Sequence, residues 1–342
     1  MKHLADRFNA DHKEENQIIV GWKFADSHMN FKSIKRGTES GETCDLYITY
    51  EPLKEWELKK QLLLHEVIRL FNDEFPLIGP CSNPANLSPH ADPIDNVGKI
   101  ILYALSLEDR EQKVYYSRWN HSAMGLKDQH LWCKAADRLA KKIIKVGCID
   151  CVVSNASEKL KGDIQKLLDN DTAHYKEVKK QVGDQILKEF TDHHVQKPTE
   201  RVFPAGAISA TMEEGLYGIT DGALILQHSI KDYKGVIDSE IKACKIYNHA
   251  DKGSVDHVLT NPAQLLVPAA FGRLPDHSPQ QKFLVWLKSE QGHKAISEFK
   301  INGVNSKRNQ PYNGMVSQVS LPMALESNRE TNTYMARVGI ID

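Results

Sequence analysis

Val114, Tyr115 and Tyr116 form a short apolar run of strand-forming side chains, and a few residues later the chain switches to helical spacing. Leu131, Ala135, Leu139 and Ile143 fall on one helical row, and Trp132, Ala136, Ala140 and Ile144 fall on the next. A buried strand that passes so quickly into a long helix needs helices packed on a sheet, which constrains the chain to an α/β architecture. The residues between, Ser117-Arg118-Trp119-Asn120-His121-Ser122-Ala123, put a guanidinium and two hydroxyls at the mouth of that helix, with Ser122 close to the N-cap. Helix N-termini leave backbone N–H groups unpaired and carry the positive end of the dipole, so an anion is favoured there before any side chain contributes. Arg118 adds a planar donor fork suited to several oxygens of one ligand. The alternative is an Arg paired with a neighbouring acid beside an ordinary Ser cap.

The wider pattern also alternates strands and helices. Ile18 to Trp22 and Asp45 to Tyr50 read as strands, Glu55 to Leu63 as a helix, and Phe75 to Ile78 as the next strand. Asn83 to Asp95, rich in Pro, Asn, Asp and Ser, reads as a crossover loop between lobes, followed by helix from Val97 to Leu105. Between Ser157 and Phe190, Leu160, Ile164, Leu167 and Leu168, then Tyr175, Val178, Val182, Ile186 and Phe190, recur at helical intervals amid dense charge. That predicts one long amphipathic helix, or two broken near Asp169-Asn170-Asp171. The segment is either a solvated elaboration or a docking face for a protein partner. Ser278-Pro279-Gln280-Gln281 is a capping box with Pro at the first helical position, and Gly292 is expected to separate that helix from the next. Beyond Asn305 the chain turns polar, and Met315 to Asp342 lacks sustained periodicity.

Composition excludes several classes. The 342 residues are too many for one ordinary core and suit two lobes of roughly 100–200 residues each. With 44 basic and 45 acidic residues, the formal charge of −1 gives no global reason to expect nucleic acid or an anionic membrane as partner. No apolar run approaches the roughly 20 residues needed to cross a bilayer, so membrane insertion is not expected. The first residues lack a basic segment followed by an apolar one, which predicts no secretory signal and a cytoplasmic location for the chain as it stands.

Six cysteines without regular spacing read as reduced, mostly buried thiols, and the single CxxC pair, Cys148 and Cys151, as structural thiols after a helix rather than a metal or redox site. Fifteen histidines show no HExxH, and the neighbours His193 and His194 read as surface or partly buried. No metal or cofactor is expected. A nucleotide-binding glycine motif and a hydrolase elbow are also missing from the sequence.

Five segments, in order, resemble the tungstate- and molybdate-type substrate-binding proteins, whose fold is the type II periplasmic-binding-protein class. Val114 to Trp132 resembles their Ser-Arg-x-Asp-x-Ser-Gly-Thr element. Cys44 to Pro52 is similar to their second-strand segment, and Phe71 to Pro80 with Asn83-Pro84-Ala85 to their hinge strand. Glu213 to Asp221 resembles a strand-to-helix turn, and Phe283 to Gly292, continuing through Ile296 to Phe299, their closing helix pair. Trp119 and Ala123 stand where the family has Gly, Asn120 where Asp is common, and Met124 replaces the Thr and removes one hydroxyl. The resemblance further implies that the N-terminal strand and its anion loop are lacking, since Met1 to Phe8 reads as the helix that follows them. It also implies a replacement strand from the tail, where Gln318 to Leu321 and Arg337 to Ile341 have strand character, or else a poor anion site.

The resemblance therefore implies a two-lobed type II periplasmic-binding-protein-like α/β fold with a ligand cleft between lobes. Lobe one would comprise 1–81 and 226–314, lobe two 82–225 with a helical insertion at 150–200, and the tail 315–342. The implied function is reversible binding of a small tetrahedral oxyanion such as tungstate or molybdate. Arg118 would be the main charged donor, joined by Ser117, Ser122 and Asn120, with Thr49 and Tyr50 from lobe one and Thr220 near the crossover. No catalytic residue is expected. Family members are often extracytoplasmic. One alternative is an enzyme on the same fold acting on a small anionic substrate, which needs an acid–base pair in the cleft, and Asp45 and Glu51 are the tempting carboxylates near it. Another is a non-binding homologue that serves as an interaction module through residues 157–190.

Overall fold

The computed structural model describes residues 2–12, 27–36, 45–50, 52–117, 123–170, 175–196, 214–220, 244–248, 258–271, 275–298, 300–301 and 304–305. In chain order the first elements are α1 (Lys2–Asp11), α2 (Ser27–Arg36), β1 (Tyr47–Thr49), α3 (Pro52–Lys60), β2 (Leu64–Glu74) and β3 (Leu77–Pro80). There follow α4 (Pro93–Leu105), β4 (Tyr115–Ser117), α5 (Ala123–Val146), α6 (Asp150–Val153), α7 (Glu158–Asn170), α8 (Tyr175–Thr191), β5 (His194–Gln196) and β6 (Gly218–Ile219). The last are β7 (Cys244–Asn248), β8 (Thr260–Pro268), α9 (Pro279–Lys288), α10 (Glu290–Ser297), β9 (Lys300–Ile301) and β10 (Val304–Asn305). The described residues of Met1–Glu74 and Thr260–Leu325 form one compact unit, and those of Phe75–Asp251 with His257–Leu259 form another.

In the first unit β8 lies between β1 and β2 and runs antiparallel to both. Alternation along β8 sends Leu265 and Val267 to one face and Leu266 to the other. Leu265 and Val267 pack with Leu4 and Phe8 of α1 and with Phe283, Leu284, Trp286 and Ile296 of α9 and α10. Leu266 packs with Phe31 and Ile34 of α2 and Leu58 of α3. Ser278 caps α9 by accepting from the Gln281 N–H, as the capping box predicts. Gly292 does not end a helix. The break falls at Ser289, whose side chain caps α10, and Gly292 lies inside α10, where a Cβ would come within 2.3 Å of the Trp286 carbonyl oxygen. The expected strand Ile18 to Trp22 and the tail 315–342 lie outside the described residues.

In the second unit β4 runs parallel to β5, and a parallel bridge between Tyr115 and Tyr217 joins β4 to β6. β3 pairs antiparallel with β6 on one side and β7 on the other. These pairings give the order β5-β4-β6-β3-β7, with β3 alone reversed. They also place Leu77–Pro80 and Cys244–Asn248 with this unit, whereas the sequence boundaries at 81/82 and 225/226 divide them from it. Residues 81–92 likewise belong to this unit rather than to a link between two. Asn83 and Asn86 turn this segment at φ 51° and 53°, and the Asn83 side chain both accepts from and donates to the Leu87 backbone.

Of the two forms expected for this segment the broken one is present, α7 ending at Asn170 and α8 beginning at Tyr175, and the pair is not a solvated elaboration. Leu160, Ile164, Val178, Val182, Ile186, Leu187 and Phe190 are buried in the same core as α4 and α5. The ring of Phe190 lies 5.5 Å from that of Trp132, edge to face. The chain then enters β5, so this segment supplies both a layer and a strand. His193, expected near the surface, is buried, with its ring Nδ1 3.0 Å from the Gln112 carbonyl oxygen.

Cys148 and Cys151 are joined in a disulfide rather than held as thiols, and Cys151 lies in α6, so the pair stands at a helix entry. Gly147, at φ 65°, ends α5 and reverses the backbone just before it.

Candidate functional site

β4 ends at Ser117, which is 2% exposed although the strand carries only three residues. Its burial follows from the neighbours: β5 on one side, where Ser117 is level with Gln196, and β6 on the other. Because β4, β5 and β6 are parallel, Thr220 leaves β6 at the same carboxyl end as Ser117. Thr220 is fully buried, with its N–H donated to the Pro76 carbonyl at 3.2 Å. β7 contributes Asn248 to that end, accepting from Asn96 Nδ2 at 2.7 Å and donating to the Ala91 carbonyl at 2.8 Å. Carboxyl ends of strands in open α/β sheets are where ligands bind, and this end carries a row of polar groups. The helix α5 begins at Ala123, one residue after Ser122. Arg118, Asn120 and Ser122 lie outside the described residues.

Beneath Ser117 stands a carboxyl that the sequence reading passed over. Asp128 of α5 is 1% exposed, accepts a hydrogen bond from the Tyr115 hydroxyl at 2.5 Å and is also hydrogen-bonded to the Ser117 side chain. Burial pushes its pKa well above the ordinary carboxylate range, against the pull of the Tyr115 and Ser117 hydroxyls. The Tyr115 hydroxyl is pushed up as well, by burial first and then by Asp128. A signal for Asp128 existed: one turn before Trp132 on the row Trp132, Ala136, Ala140, it is an acid on a face that must be buried.

Further along α5, burial and then Lys127 and Lys134 lower the His130 pKa to about 3, and burial raises that of the Cys133 thiol to about 12. Both are neutral at physiological pH, so neither an imidazolium nor a thiolate is present for chemistry. Among the described residues no group of three or more His, Cys, Asp and Glu side chains is placed to hold a metal ion. No described helix is long and apolar enough to cross a membrane.

In the first unit Thr49 ends β1, fully buried, and its hydroxyl is donated to Glu55 Oε1 of α3 at 2.5 Å. That hydroxyl is therefore spent on a buried carboxylate. Thr49 pairs across the sheet with Gln264 of β8, which pairs in turn with Arg69 of β2, so the three side chains share one face. Gln264 is buried, and among the described residues its Oε1 has no hydrogen-bond partner. Tyr50 is half-buried and Asp45 exposed, and Glu51 lies outside the described residues.

Known structures share this arrangement of chain. A periplasmic protein described as a candidate metal binder matches with a TM-score of 0.59 and 27% identity over 89% of this chain and 88% of its own. The tungstate-binding protein TupA from Desulfovibrio alaskensis matches with a TM-score of 0.53 and 19% identity over 89% and 90%. A ferric-binding protein from Campylobacter jejuni matches with a TM-score of 0.54 and 12% identity over 99% and 95%. The fold is type II periplasmic-binding-protein-like. No model of a known family matches the chain, and no curated protein does. All three neighbours are named as binding proteins rather than enzymes, and the first is named as periplasmic.

Proposed function

We propose that this protein reversibly binds a small tetrahedral oxyanion of the tungstate or molybdate kind at the polar end of the second unit's sheet. The observation that carries the reading is Ser117, buried at the carboxyl end of a parallel strand six positions before the first residue of the long helix α5. A helix N-terminus beside such a strand end offers N–H groups and a positive dipole to an anion. Arg118 supplies the charge, Ser117, Asn120 and Ser122 the neutral donors, and Thr220 a further hydroxyl at the same strand end. In the first unit the Thr49 hydroxyl is engaged by Glu55.

Thermal melts with tungstate, molybdate, sulfate and phosphate test the reading. A ligand at about a hundred times its dissociation constant adds roughly 2.7 kcal/mol, or about 4 °C if the 342 residues melt together. If none of the four shifts the melt, the oxyanion reading is wrong. The neighbour described as a candidate metal binder, together with the buried oxygens of Glu55 and Gln264, supports a cation as the second reading. A shift with zinc or manganese and with no oxyanion would establish it in place of the first.

An extracytoplasmic location completes the proposal. It is supported by the Cys148–Cys151 disulfide, which persists in oxidising compartments, and by the periplasmic neighbour. Alkylation of the protein taken directly from cells, without reductant, should leave Cys148 and Cys151 unlabelled. Full labelling of both would place the protein in a reducing compartment.

A further inference from the structure

Asp128 is a buried acid for which oxyanion binding alone gives no reason. Among the described residues no cation is paired with it; removing such a carboxyl from water is costly, and a core position on the Trp132 row would be filled more stably by an apolar side chain. Among the described residues its hydrogen-bond partners are the hydroxyls of Tyr115 and Ser117, one in the core and one at the strand end. Among the described residues, several charged groups on the elements packed against α5 are engaged in ion pairs away from Asp128. Asp92 and Asp95, at the start of α4, pair with Arg138, and Lys179 of α8 pairs with Asp137. Asp184 lies close enough to Cys133 to raise its pKa, and Lys127 and Lys134 of α5 itself close enough to His130 to lower its pKa. On β4 the titratable neighbour is Tyr115; beside β6, Tyr217 turns its hydroxyl to the Ala85 N–H.

We propose that Asp128 is a positioning residue for Ser117 and makes oxyanion binding there depend on a proton. In the protonated form the carboxyl O–H donates to Ser117 Oγ, which leaves the single Ser117 proton to point at a ligand oxygen. When Asp128 ionises, its proton passes to solvent, the carboxylate accepts from both Tyr115 and Ser117, and the Ser117 proton is withdrawn from the ligand. The carboxylate also repels the anion through a poorly screened interior. Burial favours the protonated, binding-competent form up to pH values where ordinary carboxylates are fully ionised. Tyr115 keeps its proton throughout that range, because its own hydroxyl is shifted upward. The inference rests on the oxyanion reading and adds a regulator to it.

Calorimetric titration with tungstate and with molybdate, from mildly acidic to alkaline pH, provides the test. For the wild-type protein, affinity should be highest at low pH and fall by about tenfold per pH unit once Asp128 ionises. Asp128→Asn keeps the shape and an N–H donor toward Ser117, so it should bind at all pH values with the slope removed. Ser117→Ala should bind more weakly, and its pH slope should be reduced. Circular dichroism confirms that each variant is folded, and a purely structural Asp128 would change the melting temperature without changing the slope. A pH-independent wild type, or an Asp128→Asn variant that keeps the wild-type slope, overturns this inference and leaves the oxyanion reading intact. No binding by the wild type at any pH overturns both.

Discussion

Trp132→Ala should lower the folding stability of the second unit by about 3–5 kcal/mol, the range for emptying a large aromatic from a packed core. Trp132 is 1% exposed, and its ring meets those of Tyr115 and Phe190 edge to face at 5.3 and 5.5 Å. Those rings belong to β4 and α8, so one indole joins the strand that ends at Ser117 to α8, which packs over α5. The three rings come from separate elements, and collapse into the cavity would require α5, α8 and β4 to move together. Trp132→Phe, which keeps an aromatic edge, should recover most of the loss. Urea denaturation followed by circular dichroism measures both. A loss under about 1 kcal/mol for the alanine variant would mean that α8 does not pack on α5 as described.

The helices were legible because their burial follows the helical period. Leu131 and Trp132 begin two rows of α5 that are apolar at every fourth residue, and the charge between them is solvated. The same periodicity located α4 and the helices α7 and α8. β2 was missed for a physical reason. Its pairing with β8 is irregular between Leu64 and Glu66 and again between Arg69 and Phe71, so the alternation of apolar and polar side chains that identifies a strand is broken twice. The expected helix end at Leu63 and next strand at Phe75 therefore left Leu64–Leu70 unassigned, and only the family resemblance put Phe71–Glu74 in a strand. The disulfide was missed because spacing alone does not separate a bonded CxxC from a reduced one.

The candidate site is readable from sequence only where its chemistry is local. Ser117 stands out as a hydroxyl closing a strand just ahead of a helix. Asp128 was within reach of the same reasoning, since continuing the Trp132 row back one turn lands on it. Glu55, Arg69 and Gln264 were not. Their association depends on which residues of β1, β8 and β2 face one another across the sheet, and more than two hundred positions of chain separate Thr49 from Gln264. Register between distant strands is fixed by the burial of both partners, which neither segment carries alone.

Arg118 is where the proposed function is most exposed to disproof. If it holds an oxyanion through a two-pronged guanidinium contact, each charge-assisted hydrogen bond contributes about 1.5–3 kcal/mol, and Arg118→Ala forfeits roughly 3–6 kcal/mol of binding. A micromolar ligand would then become undetectable by calorimetry. Arg118→Lys keeps the charge but replaces the planar fork with a single ammonium, so it should recover part of the affinity and lose discrimination between tetrahedral anions of different size. Stability in the absence of ligand separates the two roles open to this residue. An arginine that waits for an anion in a solvated site is repelled by the positive end of α5, so its removal should leave the unliganded protein as stable as before or slightly more stable. An arginine paired with a buried acid leaves that acid uncompensated when removed, which costs about 3–5 kcal/mol. Melting Arg118→Ala without ligand and titrating it with tungstate therefore read two independent quantities. Unchanged melting with lost binding supports the oxyanion site. Lowered melting in a protein whose wild type binds no anion identifies Arg118 as a structural ion-pair partner.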